Sequence, residues 1–169
     1  MKIVLFAGFK GSGKTTALTA LSAYLTSKGK KIASIKNARK GDVEITKKDS
    51  WLHFLSGANP AVLICPDLLI IHEKVTENTL DQLLAYFEEK GLDYLLVEGL
   101  YKELAGRKDL VTVVCAKDER ELDELLSLHQ DARVITGMFS SKGFRDYKGI
   151  PVYDIKKDIP KIAQLITQD

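Results

Sequence analysis

Short apolar runs alternate along this chain with longer stretches in which apolar residues recur every three or four positions. Runs rich in valine, isoleucine and leucine predict buried strands, whereas the longer spacing predicts amphipathic helices. The strands are predicted at residues 2–8, 31–36, 61–65, 68–74, 93–100, 110–115, 132–137 and 150–155. The helices are predicted at residues 14–29, 49–58, 78–91, 118–129 and 158–168. This alternation indicates the α/β class, with a mostly parallel sheet covered by helices on both faces.

The middle of the chain carries two more local signals. In the predicted helix at 49–58, Trp51, Leu55 and Ala58 fall on one side, which we expect to be buried. Pro66 and Asp67 predict a turn between the two strands that follow this helix.

Composition narrows the class of protein. The 169 residues are 45% hydrophobic and 28% charged, and we find no repeat or linker, so we predict a single globular domain over residues 1–169. The 25 basic and 23 acidic residues leave a net charge of +2, which is too small to indicate a nucleic-acid partner. No apolar stretch approaches the roughly 20 residues that span a bilayer, and the start of the chain lacks a signal-peptide cleavage site. We therefore expect a cytoplasmic protein with no membrane or nucleic-acid partner.

The two cysteines, Cys65 and Cys115, each end an apolar run. Without a CxxC pair, and with three isolated histidines, they do not indicate a structural zinc site. We expect both to be small buried hydrophobic residues in a reduced setting.

Residues 8–16 read GFKGSGKTT and match the phosphate-loop pattern G-x-x-x-x-G-K-[ST] through Gly8, Gly13, Lys14 and Thr15. The loop follows a predicted strand and opens a predicted helix, which is the arrangement of a P-loop NTPase fold. Backbone N–H groups and the helix N-terminus would hold phosphate oxygens, Lys14 would bridge the β- and γ-phosphates, and the Thr15 hydroxyl would ligate Mg²⁺. The alternative is an ordinary turn rich in glycine and lysine.

An acid at the end of a neighbouring strand completes such a site. Glu98 ends the predicted strand at 93–100 and Gly99 follows it, while the polar loop at 37–48 offers Asp42 or Glu44. Each acid is otherwise a surface carboxylate. The residues predicted to bind the nucleotide are Gly8, Gly11, Ser12, Gly13, Lys14, Thr15, Thr16 and Gly99. The predicted metal ligands are Thr15, Asp42 and Glu98, and the predicted catalytic residues are Lys14, Asp42 and Glu98.

The strings GFKGSGKTT, IKNARKGDVEI, KKDSWLHFLSGA and DYLLVEGLYK occur in this order. Together they resemble the MobB family, the molybdopterin-guanine dinucleotide biosynthesis adaptor proteins, over residues 1–102 and more weakly near the end of the chain. The resemblance implies a cytoplasmic homodimer that binds GTP and Mg²⁺ and hydrolyses GTP slowly at most. It also implies a role in molybdenum or tungsten cofactor biosynthesis, in which a partner nucleotidyltransferase attaches GMP to molybdopterin.

The chain departs from the family pattern in one loop and leaves the base preference open. Asn37, Arg39 and Lys40 stand where members usually carry histidines, and Thr46 replaces an acid. Guanine preference follows from the resemblance only. The string AKD at 116–118 would either contact a base or cap the next helix.

A second function remains open, because a P-loop also serves small-molecule kinases. Such kinases usually bring several arginines over the transferred phosphoryl group. The five arginines of this chain are well separated in sequence, and 140–149 is the one stretch that resembles a lid.

Overall fold

A computed structural model describes residues 1–38 and 49–168 of the chain. The strands in these ranges are β1 Lys2–Ala7, β2 Ile32–Lys36, β3 Ala61–Ile64, β4 Leu69–His72, β5 Tyr94–Glu98, β6 Leu110–Cys115, β7 Ala132–Thr136, β8 Asp146–Tyr147 and β9 Ile150–Pro151. The helices are α1 Lys14–Ser27, α2 Asp49–Leu55, α3 Thr79–Glu89, α4 Glu119–Leu128 and α5 Ile159–Thr167, with a 3₁₀ helix at Gly137–Lys142. The chain divides into two compact units, Met1–Asn37 with Phe87–Asp169 and Ala38–Tyr86. A single domain over residues 1–169 stays a prediction.

The larger unit contains a five-stranded parallel sheet in the order β2-β5-β1-β6-β7. This confirms the predicted α/β class. β1 lies in the centre, and its neighbour β5 is aligned so that Phe6 lies opposite Glu98. Because the strands are parallel, the loop after β1 and the last residue of β5 meet at the same edge of the sheet.

Hydrophobic cores cover both faces of this sheet, because successive side chains of a strand point to opposite sides. Val4 and Phe6 belong to a core that includes residues of α1 and α5. Ala7 belongs to a second core that α4 covers with Leu122 and Leu125. Fully burying side chains of this size contributes about 1.5–3 kcal/mol each, so the central strand is a rigid base for the loop that follows it.

The predicted strand at 150–155 is wrong in extent. Only Ile150 and Pro151 form β9, which pairs with β8 in an antiparallel hairpin. Val152 then makes a single parallel bridge to Ile135 of β7. Proline has no backbone N–H to donate, so Pro151 interrupts the ladder that a full sixth strand would need.

In the smaller unit, β3 and β4 form the predicted antiparallel pair, and Cys65 N donates to Leu68 O at 2.8 Å in the turn. The prediction for α2 is wrong in its buried side. Leu55 is 64% exposed and Ala58 is exposed as well, whereas Ser50 is buried. Trp51 is half-buried and stacks on Phe54, one turn later, at 5.1 Å between ring centroids. The two aromatic rings, three positions apart, contact each other along the helix, and Leu55 is exposed beside them.

None of the helices in the described ranges combines the length and the hydrophobicity that a membrane span requires.

Candidate functional site

The loop between β1 and α1 has the backbone of an anion cradle. Gly11 and Gly13 have φ of 76° and 98°, a left-handed conformation that residues with a side chain adopt at a cost. Ser12 N donates to Phe9 O at 3.2 Å, which closes the turn. Gly13 caps α1 without a side-chain hydrogen bond, so the cap residue itself leaves the first N–H groups of the helix without a side-chain acceptor. These donors and the positive end of the helix dipole favour an anion at this point.

Two glycines let the loop approach its neighbours closely. A Cβ atom on Gly8 would lie 2.3 Å from Cys115 O and 2.5 Å from Ser12 Oγ. A Cβ atom on Gly137 would lie 2.3 Å from Ser12 O, and the next residue, Met138, donates its N–H to the same oxygen at 3.3 Å. The loop is therefore held between the end of β6 and the start of the 3₁₀ helix.

Ser12 is fully buried inside this loop. Within residues 1–38 and 49–168, its Oγ atom finds no hydrogen-bond partner. Because buried hydroxyls are normally bonded, the atom marks a polar interior that a ligand or water would satisfy.

The Lys14 side chain spans the loop. Its Nζ atom donates to Phe9 O at 2.8 Å, so the ammonium group is held over the cradle. Thr16, the last residue of the motif, is exposed on α1.

Thr15 and Glu98, predicted from two separate segments, lie together. Thr15 Oγ1 donates to Glu98 Oε2 at 3.0 Å, and Glu98 is half-buried at the end of β5. Hydroxyl and carboxylate oxygens are ligands that Mg²⁺ accepts, and Mg²⁺ usually takes its remaining ligands from phosphates and water. No group of three or more acidic, histidine or cysteine side chains suited to a metal occurs in the described part of the chain. The pair therefore fits an ion that arrives with a nucleotide better than a metal bound by protein alone.

Gly99 brings the end of β5 against the end of β2. It has φ of 93°, and a Cβ atom there would lie 2.8 Å from the Cβ atom of Asn37. Asn37 N also donates to Glu98 O at 2.9 Å. Thr15 therefore holds the side chain of Glu98, and Asn37 holds its backbone carbonyl. Asp42 and Glu44, the other predicted acids, lie outside the described residues.

Two further groups, at the end of β6 and at the start of α4, have structural roles. Burial raises the pKa of the Cys115 thiol to about 12, with a smaller contribution in the same direction from Glu98 and an opposing one from Lys14. This thiol is neutral and is neither a nucleophile nor a metal ligand at neutral pH. Asp118, in the AKD string, accepts from Glu121 N at 2.9 Å and caps α4, which confirms the capping interpretation.

Sequence reasoning missed Gly137. The local signal was a glycine directly after a strand, as at Gly8 and Gly99. Its contact with Ser12 depends on β7 lying two strands away from β1, which no local pattern shows.

The family model for molybdopterin guanine dinucleotide synthesis protein B, MobB, matches residues 3–136. A MobB protein homolog from Bacillus stearothermophilus is 22% identical, with 99% of each chain covered and a TM-score of 0.69. A solved molybdopterin-guanine biosynthesis protein B is 24% identical, with 98% of this chain and 96% of that one covered and a TM-score of 0.67. Bacillus subtilis MobB is 18% identical, with 99% and 96% covered and a TM-score of 0.76. At these identities the solved structures show the fold alone. No curated protein matches the chain in sequence.

Proposed function

Because the chain belongs to the MobB family and so to molybdenum cofactor biosynthesis, we propose that it binds GTP with Mg²⁺ and supports the attachment of GMP to molybdopterin by a partner nucleotidyltransferase. One observation carries the nucleotide part of this proposal. The Thr15 hydroxyl bonds to the Glu98 carboxylate beside a loop with open backbone donors. An ordinary turn rich in glycine and lysine does not need a carboxylate from a neighbouring strand beside it.

The loop would hold the phosphates through main-chain donors. N–H groups of Gly11 to Thr15 supply hydrogen bonds and the α1 terminus supplies partial positive charge. Lys14 Nζ, which now donates to Phe9 O, would exchange that acceptor for phosphate oxygens. A phosphate oxygen carries negative charge and a carbonyl oxygen does not, so the Lys14 ammonium group gains Coulombic attraction in this exchange.

Mg²⁺, when bound, neutralises phosphate charge. Thr15 would supply a ligand oxygen, and Glu98 would hold the ion directly or through a water molecule. In this role Glu98 would bind the metal ion and would not act as a base that activates water. This role agrees with GTP hydrolysis that is slow at most. Asp42 remains a proposed third member of this set.

The rest of the proposal comes from the family resemblance. It comprises a homodimer, a cytoplasmic location and an adaptor role in which the nucleotide state matters more than turnover. We also propose one nucleotide-binding domain over residues 1–169, which is supported by the composition and by a sequence without a repeat or linker.

The test is GTP binding by the full-length chain with Mg²⁺, measured by titration calorimetry. Lys14→Ala should weaken binding by roughly 10- to 100-fold, because hydrogen bonds to charged groups contribute about 1.5–3 kcal/mol. Lys10→Ala is the matched control, since Lys10 is an exposed lysine of the same loop. Unchanged affinity in Lys14→Ala, or an equal loss in Lys10→Ala, would contradict the assignment.

Two additions separate the competing functions. ATP in place of GTP tests the base preference, and tighter binding of ATP would contradict the GTP proposal. Phosphate release measured with and without molybdopterin tests the kinase alternative. Transfer of phosphate to an acceptor would favour the kinase, whereas slow release without a phosphorylated product supports the adaptor.

A further inference from the structure

A cavity of about 580 Å³ lies on the α4 side of the five-stranded sheet, where β6 and β7 begin. Leu5, Leu110 and Leu128 supply its apolar lining. Sites for small organic ligands typically measure about 300–1,000 Å³ and combine such a lining with a few polar groups.

Two aromatic rings form one wall of the cavity. Tyr101 and His129 meet edge to face, with their centroids 5.8 Å apart. His129 is buried, and its ring makes no hydrogen bond to a side chain or backbone group within residues 1–38 and 49–168. Burial lowers the pKa of His129, against a smaller opposing effect of Asp131, so the ring is neutral at pH 7. A neutral imidazole beside a phenol offers a flat surface with one donor and one acceptor.

Positive charge dominates the remaining lining. Lys102, Arg107 and Lys108 line the cavity together with one acid, Asp131. Two hydrogen bonds of 2.9 and 2.8 Å hold the Arg107 guanidinium on Asp109, which offsets its charge.

The two lysines supply the charge that remains for a ligand. The Nζ atom of Lys102 lies 6.0 Å from the centre of the Tyr101 ring. Lys108 makes no ion pair or hydrogen bond through its side chain to any described residue. A cavity with this balance favours an anion over a cation.

None of the phosphate-loop residues 8–16 lines the cavity. The loop follows the carboxyl end of β1, whereas Leu110, Leu128 and Asp131 of the cavity lie where β6 and β7 begin, at the opposite edge of a parallel sheet. Tyr101 and Lys102 belong to the segment that runs from the end of β5 to the start of β6. β1 has six residues, which corresponds to roughly 20 Å along the strand direction.

We propose that this cavity is a second ligand site, which takes a small organic anion with a flat aromatic body and one phosphate or carboxylate group. The aromatic body packs between the leucines and the Tyr101–His129 wall, and the anionic group meets Lys102 and Lys108. The proposal does not depend on what the phosphate loop binds.

The test uses 1-naphthyl phosphate as the probe, titrated into the full-length chain and followed by NMR at the histidine rings. The His129 resonance, assigned with His129→Gln, should shift with a Kd near or below about 1 mM, which is ordinary for a ligand of this size. 1-Naphthoate tests the carboxylate. 1-Naphthol has only the aromatic body and inorganic phosphate has only the anionic group. Each should therefore bind at least about fivefold more weakly.

Three variants locate the probe. Lys108→Ala should weaken it about two- to fivefold and Tyr101→Ala about two- to tenfold, which are the factors that correspond to one exposed charge and to one ring contact. Lys156→Ala, an exposed lysine away from the cavity, should leave it unchanged. Lys14→Ala should also leave it unchanged, which excludes binding of the probe's phosphate at the phosphate loop. Absence of saturable binding, or a loss in Lys14→Ala without a loss in Lys108→Ala, would overturn the proposal.

Discussion

Replacing Gly8 by alanine tests how closely the phosphate loop approaches β6. The added Cβ atom would lie 2.3 Å from Cys115 O and 2.5 Å from Ser12 Oγ, and Cβ atoms essentially never come within 3.0 Å of such neighbours. The loop or the β6 carbonyl must therefore move by about 0.7 Å or more. The obstruction is steric, because Gly8 is not among the glycines with positive φ.

The movement has two consequences of different size. Over-packing of this kind costs about 1–3 kcal/mol, which lowers the melting temperature by roughly 2–12 °C for a chain of this length. A shift of about 0.7 Å also lengthens ordinary hydrogen bonds of about 2.9 Å beyond 3.5 Å, a distance at which the two atoms are no longer hydrogen-bonded. Losing two bonds to charged phosphate at about 1.5 kcal/mol each weakens GTP binding by roughly 100-fold.

The assay is calorimetric GTP titration together with thermal unfolding. Gly29→Ala is the matched control, because Gly29 has φ of 75° at the end of α1 and a Cβ atom there meets nothing within 4 Å. It should lose about 1 kcal/mol of stability through backbone strain and keep its GTP affinity. If Gly8→Ala binds GTP and melts as the wild type does, the close approach of loop and strand is wrong.

Two other predictions concern the metal pair and the thiols. Thr15→Ala and Glu98→Gln should abolish most of the gain in GTP affinity that Mg²⁺ gives over EDTA, because the two side chains share one hydrogen bond at the metal position. Thr26→Ala, which changes an exposed threonine of the same helix, should keep that gain. A retained gain in both site variants would disprove the metal assignment. At pH 8, with a pKa of about 12, only about one Cys115 thiol in 10⁴ is ionised. Iodoacetamide should therefore label the part-exposed Cys65 in the native chain and reach Cys115 only in denaturant, and equal labelling rates in the native chain would refute the burial argument.

Local patterns in the amino-acid sequence determined most element positions and the identity of the phosphate loop. The β1 and α1 predictions hold because a buried run and a helical period need only neighbouring residues. Gly8, Gly13, Lys14 and Thr15 were recognisable because their spacing is itself the requirement of the loop. Predictions failed where a detail within the element outweighed the general pattern. Pro151 has no N–H for a full strand at 150–155, and Leu55 stays exposed beside the Trp51–Phe54 pair of α2.

Only the tertiary structure decided which strand ends meet. The order of the sheet places β5 beside β1, and this brings Glu98 within 3.0 Å of Thr15, 83 positions earlier in the chain. The same packing sets Gly137 against Ser12 and joins Tyr101 with His129 at the second cavity. These contacts join residues far apart in sequence, and their partners follow from strand order and from how each loop crosses the sheet. Strand order and loop path do not depend on a short run of residues, so no local period or spacing could specify these contacts.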